Sequence, residues 1–480
     1  MAERTALVFE DEEFSIARLD SLAAGMAEVL RRRGVRPGER VALMISNRPE
    51  FVVAVHAVWL LGASVVLMSP AWKQAEAEHA LAITEPGYAV GDHPVLAGLM
   101  PMLHVDERLP DSGGPFPDHD PGSDAVLVFS SGTTGMPKAA RHTHPSLRAA
   151  VGHWQHALGL TAADRMQITT PPSHILGLLN IVTALRTGAW LRLHRRFDLE
   201  KMLQHIEADK ITVEMAVAPI ALALAGHPDL ESYDLSSLRY IMWGATPVTP
   251  SVAKTVTRRT GVRWLPAYGA SELPVITCNP LDQPRLDTAG KAVPGVSLRV
   301  VSLETGEPVA PGETGEIQAR AASLMAGYLP AEATAGAFCD GWYRTGDIGQ
   351  LDPDGWLRIT DRAKEMIKVR GFQVAPAEVE AVLLGHPAVA DCAVFGVPDP
   401  VSGEAVIAAV TARRAVESGT VESGTVESGT VESGELVAFV GDRLASYKRP
   451  SRVVIVEEIP RLPSGKVLRR LLRDRYAAAP

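Results

Sequence analysis

Residues 128–138 read Val-Phe-Ser-Ser-Gly-Thr-Thr-Gly-Met-Pro-Lys. The apolar run Ala125 to Phe129 predicts a buried strand. It gives way to a loop of serine, glycine and threonine that closes at Pro137 and Lys138. Such a loop suits polyphosphate: glycines let backbone N–H groups approach the anion, hydroxyls add donors, and the lysine adds charge. It is not a Walker loop, which ends in Gly-Lys-Ser/Thr; here Pro137 precedes Lys138 and Ala139 follows. Taken alone, a loop of this composition is equally a plain turn.

The segment Ser130-Ser131-Gly132-Thr133-Thr134-Gly135-Met136-Pro137-Lys138 closely resembles the nucleotide-gripping loop of the adenylate-forming enzymes. These are the acyl-CoA synthetases, coumarate-CoA ligases, firefly luciferase and the adenylation domains of peptide synthetases. Further segments match in order along the chain. His174, after Pro171-Pro172-Ser173, resembles the family histidine at the mouth of the acyl pocket. Gly244-Ala245 resembles a turn lying along adenine, with Thr246 where a small apolar residue is more usual. Tyr268-Gly269-Ala270-Ser271-Glu272 resembles Tyr-Gly-x-Thr-Glu, with serine in place of threonine. Tyr343 to Gly349 resembles the segment whose aspartate, here Asp347, accepts both ribose hydroxyls. Asp361 to Glu380 follows the coumarate-CoA ligase and luciferase branch, with a hinge at Asp361-Arg362. Arg461 to Arg470, with Pro463-Ser464-Gly465-Lys466, resembles the family's closing lysine motif.

What the resemblance implies is an acyl-CoA ligase using ATP, Mg²⁺ and CoA. Ser130 to Gly135 and Lys138 grip the phosphates, and Thr133 and Glu272 hold Mg²⁺. A ring, a small hydroxyl and a carboxylate suit adenine, phosphate and a hard cation. Tyr268, Gly269, Ser271, Gly244 and Ala245 contact the nucleotide; Asp347 and Arg362 hold ribose. Lys466 meets the charge developing at the α-phosphate, and His174 orients the carboxylate. Lys368, Gly371, Phe372 and Gln373 approach the thiol-accepting tunnel after the small domain rotates. Acyl-pocket candidates are Ser173, His174, Leu178, Trp243, Pro266, Ala267, Ala270 and Leu273, which favour an apolar acid: aryl, fatty or polycyclic. The rivals are a chain that performs one half-reaction, one that feeds a carrier protein, and a non-catalytic adenylate-binding protein. No nucleophile motif stands out, in keeping with a substrate carboxylate that is itself the nucleophile.

The elements that must position these residues alternate strand and helix, which predicts a wound α/β sheet. Residues 13–33 carry an amphipathic pattern through Leu19, Leu22, Ala23, Met26, Val29 and Leu30. Phe51 to Met68 is almost wholly apolar. His56, Gly62 and Ser64 interrupt it, so it reads as a buried helix after Pro49, then a buried strand, rather than a membrane span. Pro145 to Leu158 reads as helix, and Leu178 to Arg186 as an apolar helix. His142, His144, His153 and His156 lack the acidic or cysteine partners of a metal set. Arg192 to Arg196 reads as a solvated basic strand end. Residues 285–360 shift to short alternating runs broken by Pro-Gly and Asp-Gly pairs, a small barrel or meander. The division expected is residues 1–360 as a large N-terminal domain with a β-rich part, and 361–480 as a small mobile α+β domain.

Composition sets the bounds. The chain has 480 residues and net charge −9, so nothing favours a nucleic-acid or anionic membrane partner. Three scattered cysteines argue for a reducing, cytoplasmic setting without a disulfide framework. The N-terminus lacks the apolar run of a signal peptide. Oligomeric state is open between monomer and homodimer. Residues 415–434 repeat Val-Glu-Ser-Gly with a five-residue period and read as a solvated low-complexity loop. Deleting this repeat is expected to leave turnover intact; a large loss in a steady-state assay of the deletion variant would overturn that reading.

Overall fold

The computed structural model describes residues 4–110, 116, 120, 122–130, 137–246, 248–362, 365–369, 372–399, 402–413, 432–462 and 465–477. Most of the repeat and of residues 111–121 lies outside them; Ser433 and Gly434 of its last copy open the helix Ser433–Gly441.

The fold is α/β, built on three sheets. In the first, four parallel strands, Ser64–Leu67, Arg40–Met44, Tyr88–Gly91 and Met102–His104, continue into Asp124–Ser130. These strands are near-continuous valine, leucine and alanine because both faces are covered. The strand expected at Ala125 to Phe129 is therefore present. It is followed by a strand that sequence patterning missed, Lys138–Thr143, paired antiparallel to it. The serine/glycine loop thus joins the two strands of a hairpin. Gly327–Leu329 adds the edge beyond Lys138–Thr143.

The second sheet carries parallel strands Trp190–Leu193, Arg165–Ile168, Val213–Ala216, Tyr240–Trp243 and Trp264–Tyr268. Beyond Trp264–Tyr268 it turns antiparallel, through Thr277–Cys278 and Gly290–Ala292 to Trp356–Arg362, Trp342–Leu351, Thr314–Ala321 and Val296–Val301. The β-rich stretch is thus a meander continuous with the large sheet, not a closed barrel, among the described residues. Helices Ile16–Arg32, Pro49–Leu60, His144–Leu158 and Ile175–Thr187 fill the space between the first two sheets and share one core with both.

Local signals account for the helix ends. The helix expected from residue 13 begins at Ile16, because Glu12–Ser15 pairs with Thr5–Phe9; Ser15 Oγ accepts the Arg18 N–H at 3.2 Å. Pro49 occupies the first turn of its helix, as the sequence predicts. Thr143 caps His144–Leu158, which ends at Gly159 with φ 55°. No helix among the described residues is long and apolar enough to cross a membrane.

The third sheet joins Phe372–Val374, Ile367–Val369, Gly403–Ala412, Val389–Asp399 and Arg452–Ile455. Helices Pro376–Leu383 and Ser433–Gly441 cover one face, and Arg469–Tyr476 the other. The basic cluster departs from its expected solvation at Arg192. Its side chain is 11% exposed, and it meets Asp209 at 2.5 Å because both flank a packed strand–helix seam. Arg195 and Arg196 are exposed as expected.

The second sheet also buries a carboxyl group. Glu214 is fully buried, with Oε2 accepting Gln167 Nε2 at 2.5 Å and Oε1 accepting the Met215 N–H at 2.9 Å. Burial pushes its pKa up to about 8. The unfolded group releases its proton near its ordinary value, so the neutral form's stabilisation is complete below that value. It is lost as pH rises towards 8. Glu214→Gln, which cannot ionise, is expected to flatten the pH dependence of stability. The gap between wild type and variant shifts by a few kcal/mol, on the order of 1.4 per pKa unit, between pH 5 and 9 in denaturant titrations.

Candidate functional site

One cavity of about 760 Å³ lies where the first two sheets and the third converge. Its polar wall comes from strand ends. Ser130 and Lys138 enter from the two strands of the hairpin, with Pro137 beside them. Lys138 Nζ lies 5.0 Å from the Tyr328 ring centroid, and His79 Nε2 lies 2.9 Å from the Pro137 carbonyl oxygen. Ser131, Gly132, Thr133, Thr134 and Gly135 lie outside the described residues.

Tyr268 to Glu272 follows a strand of the second sheet. Gly269 has no alternative: a Cβ there would stand 2.0 Å from the Pro274 carbonyl oxygen. The turn closes with Ala270 N–H donating to Leu273 O at 2.9 Å. Glu272 lines the cavity, is 7% exposed, and accepts the Tyr328 hydroxyl at 2.6 Å. It has no ion-pair partner among the described residues. A nearly buried carboxylate without a counter-charge, open to a cavity, matches the oxygen ligand that Mg²⁺ prefers. His142, fully buried, stands behind this turn with Nε2 2.7 Å from the Ser271 carbonyl oxygen. Burial lowers its pKa.

Asp347 sits just behind the wall, 4% exposed. It accepts the Tyr268 hydroxyl at 2.5 Å and meets Arg362 Nε at 3.0 Å. Tyr268 and Arg362 themselves face the cavity. Burial and the neighbouring Asp347 raise the Tyr268 pKa, and Asp347 raises that of Arg362. Gly244 and Ala245 line the same wall; Ala245 holds φ 62°, a left-handed conformation rare outside glycine. Thr246 fixes this turn, its Oγ1 accepting from Trp243 Nε1 at 3.1 Å and the Ala218 N–H at 2.9 Å.

The third sheet contributes Lys466, which lines the cavity with Leu462 and Leu468. Arg461 braces this turn by pairing with Asp391 at 2.7 Å and donating to the Gly465 carbonyl at 2.8 Å. A Cβ on Gly465, at φ 83°, would come within 3.0 Å of Pro219. Lys466 and the hairpin that carries Ser130 and Lys138, far apart in sequence, therefore meet at one cavity.

His174 stands at the residue before Ile175–Thr187, without a side-chain capping bond, and lines the cavity with Ser173. Burial lowers its pKa, with Glu272 opposing and Lys466 assisting. Ala267 and Ala270 also line the cavity.

Four expected pocket residues do not. Trp243 is fully buried and packs on Trp264 at 5.1 Å between ring centroids, in a separate core. Strand residues alternate in direction, so Met242 and Gly244 face the cavity and Trp243 faces away. Leu178 points into the core, while Ile175, Leu176 and Leu179 supply the cavity face of its helix. Leu273 is fully buried beneath its turn. Pro266 is likewise a strand residue outside the lining.

The structure does not bring Lys368 or Phe372 to the cavity. Phe372 is 55% exposed and stacks on Tyr447 at 4.6 Å; the Lys368 N–H donates to Glu404 at 2.7 Å. Gly371 and the side chain of Gln373 lie outside the described residues. Sequence reasoning gave no role to Trp154, Met242, Tyr328 or Tyr343, all of which line the cavity. Tyr343 carried a signal as the first residue of the matched segment Tyr343 to Gly349, and Gly327-Tyr328 also matches the family pattern.

Residues 1–329 match the family described as AMP-binding enzyme, and residues 378–466 its C-terminal domain. The chain is 32% identical to a 4-coumarate–CoA ligase of Vanilla planifolia, over 98% of this chain and 90% of that one. It superimposes on ATP-bound MatB from Rhodopseudomonas palustris with a TM-score of 0.91 at 27% identity, covering 99% and 96% of the two chains. O-succinylbenzoate coenzyme A synthetase from Bacillus subtilis, in complex with ATP and a magnesium ion, gives a TM-score of 0.86 at 30% identity, covering 98% and 97%. The cavity and the extent of these matches agree, and the chain belongs to the AMP-binding enzymes, the adenylate-forming family that its motifs resemble.

Proposed function

We propose that the protein is an ATP-dependent acid–thiol ligase of the AMP-forming type. The observation that carries this reading is the convergence of Lys138, Glu272, Arg362 and Lys466 on one cavity. A carboxylate is a poor acyl donor because its leaving group is oxide. In the first step its oxygen attacks the α-phosphorus of ATP, the α–β P–O bond breaks, and pyrophosphate leaves. In the second, the CoA thiol attacks the acyl carbonyl, the thiol proton passes to solvent, and AMP departs. Neither step needs a protein nucleophile. The chain's residues act by alignment and by meeting developing charge.

Lys138 and the loop before it hold the β- and γ-phosphates. Lys466 faces the α-phosphate. Tyr268, Gly244 and Ala245 hold adenine, with Asp347 and Arg362 at ribose. Glu272 is the Mg²⁺ ligand, joined by Thr133; when bound, the ion neutralises phosphate charge. His174, kept neutral by burial, orients the carboxylate by hydrogen bonding rather than by charge. For the acceptor step, the unit from Asp361 onward turns, withdrawing Lys466 and presenting Lys368 and Gly371-Phe372-Gln373.

The acid is apolar. Among the described lining residues the cations are Lys138, Arg344, Arg362 and Lys466, all grouped with the nucleotide residues. Ile175, Leu176, Leu179, Met242 and Pro274 line the rest. A second carboxylate on the substrate has no described cation to meet it there.

Three measurements test this reading. Pyrophosphate release from a panel of acids with ATP, Mg²⁺ and CoA, with the thioester identified by mass, is expected to give acyl-CoA. No AMP-forming turnover with any acid would overturn it. Lys466→Ala is expected to abolish adenylation while still converting a supplied acyl-adenylate to thioester; equal loss of both steps would refute the division of labour. Tyr328→Phe removes the donor that orients Glu272. Loss of a hydrogen bond to a charged group costs about 1.5–3 kcal/mol, so the Mg²⁺ concentration for half-maximal ATP–pyrophosphate exchange is expected to rise roughly ten- to a hundredfold. An unchanged Mg²⁺ requirement would remove Glu272 from the metal site.

A further inference from the structure

The apolar arm of the cavity follows one face of the helix Ile175–Thr187. Ile175, Leu176 and Leu179 recur at helical spacing towards the arm. Asn180 stands one turn beyond Leu176 on the same flank, and its Oδ1 accepts the indole Nε1–H of Trp154 at 2.7 Å. Trp154, on the helix His144–Leu158, lines the cavity and is 3% exposed. Its ring is therefore held at the level of Asn180, facing the cavity, while its polar edge points away into the helix pair.

The depth of the arm follows from the helix. His174 stands just before the helix, beside the carboxylate position, and from there to Asn180 the helix climbs about 9 Å, at roughly 1.5 Å per residue. That depth holds an aromatic ring with a short side chain, or a medium straight chain.

We propose that Trp154 is the end wall of the acyl arm and sets the longest acid the enzyme accepts, with Asn180 as the positioning residue that holds the indole across the arm. The inference rests on the acid-activating reading above and narrows its substrate to compact, uncharged monocarboxylic acids. A buried tryptophan with its N–H satisfied is a rigid stop. An indole left without that partner bears an unpaired buried donor and is free to swing aside.

The test measures kcat/KM for ATP–pyrophosphate exchange with two series: phenylacetic to phenylpentanoic acid, and hexanoic to tetradecanoic acid. Wild type, Trp154→Ala, Trp154→Leu and Asn180→Leu are compared, Trp154→Leu keeping the test valid if the alanine variant fails to fold. Wild type is expected to show a break in each series, falling on the order of tenfold or more per step beyond it. Both Trp154 variants move the break to longer acids by several carbons. Asn180→Leu raises the ratio of long-acid to short-acid kcat/KM, a change that general destabilisation would not produce. A wild type without a break, or the same break in all variants, overturns this inference and leaves the ligase reading standing. Exchange with no acid at all overturns both.

Discussion

A single buried carboxylate ties the parts of this site together. Asp347 is 4% exposed, and a polar group so buried needs partners. Among the described residues its side chain has two, the Tyr268 hydroxyl and the Arg362 guanidinium. Tyr268 ends a parallel strand of the large sheet, Asp347 lies on a strand of the meander, and Arg362 closes the adjacent strand in direct register with Asp347. Removing any one leaves a buried polar group unmatched, which costs more than the pair contributes. The constraint therefore fixes where the parallel sheet, the meander and the third sheet's entry stand relative to each other.

The opposite wall carries a cation of its own. Lys466 is carried on a turn of the third sheet, braced within its own unit by Arg461 and Asp391. Gly465 lies close to the large sheets: a Cβ there would come within 3.0 Å of Pro219 and 3.4 Å of Val217. The brace holds the turn, and with it Lys466, at the cavity. The thiols tell a matching story. Burial pushes the Cys278 thiol up to about 12 and raises that of Cys392, so neither offers a thiolate nucleophile. Alignment and charge are what the site supplies.

The motif residues were legible because they lie where strands end in turns, and turn chemistry is written locally. The strand before the loop, the helix after Pro49 and the pairing in the meander follow from periodicity and glycine placement. The strand Lys138–Thr143 was not legible, because lysine, arginine and histidine within it mask its burial. Its charges are met at a distance: Arg141 by Asp124 at 2.9 Å, and His142 by the Ser271 carbonyl. Glu272 with Tyr328, Asp391 with Arg461 and Trp154 with Asn180 are likewise pairs that no local pattern joins. The acyl arm was misjudged for a further reason. An apolar pocket and an apolar core draw on the same residue types, and only the direction of each side chain separates Met242 from Trp243 or Leu179 from Leu178.

The same rule of direction gives the Asp361-Arg362 pair its place. Neighbouring residues on a strand point to opposite sides. Arg362 turns towards Asp347 and the cavity. Asp361, 9% exposed, turns to the third sheet's side, where it accepts the Ala377 N–H at 2.9 Å in the first turn of Pro376–Leu383. Burial raises its pKa to about 6, with Arg469 opposing, so its hold on that helix is electrostatically costly. One dipeptide thus grips both units, each with one side chain. The two grips meet at one peptide bond, so the cavity wall and the third sheet's side are joined there through adjacent side chains.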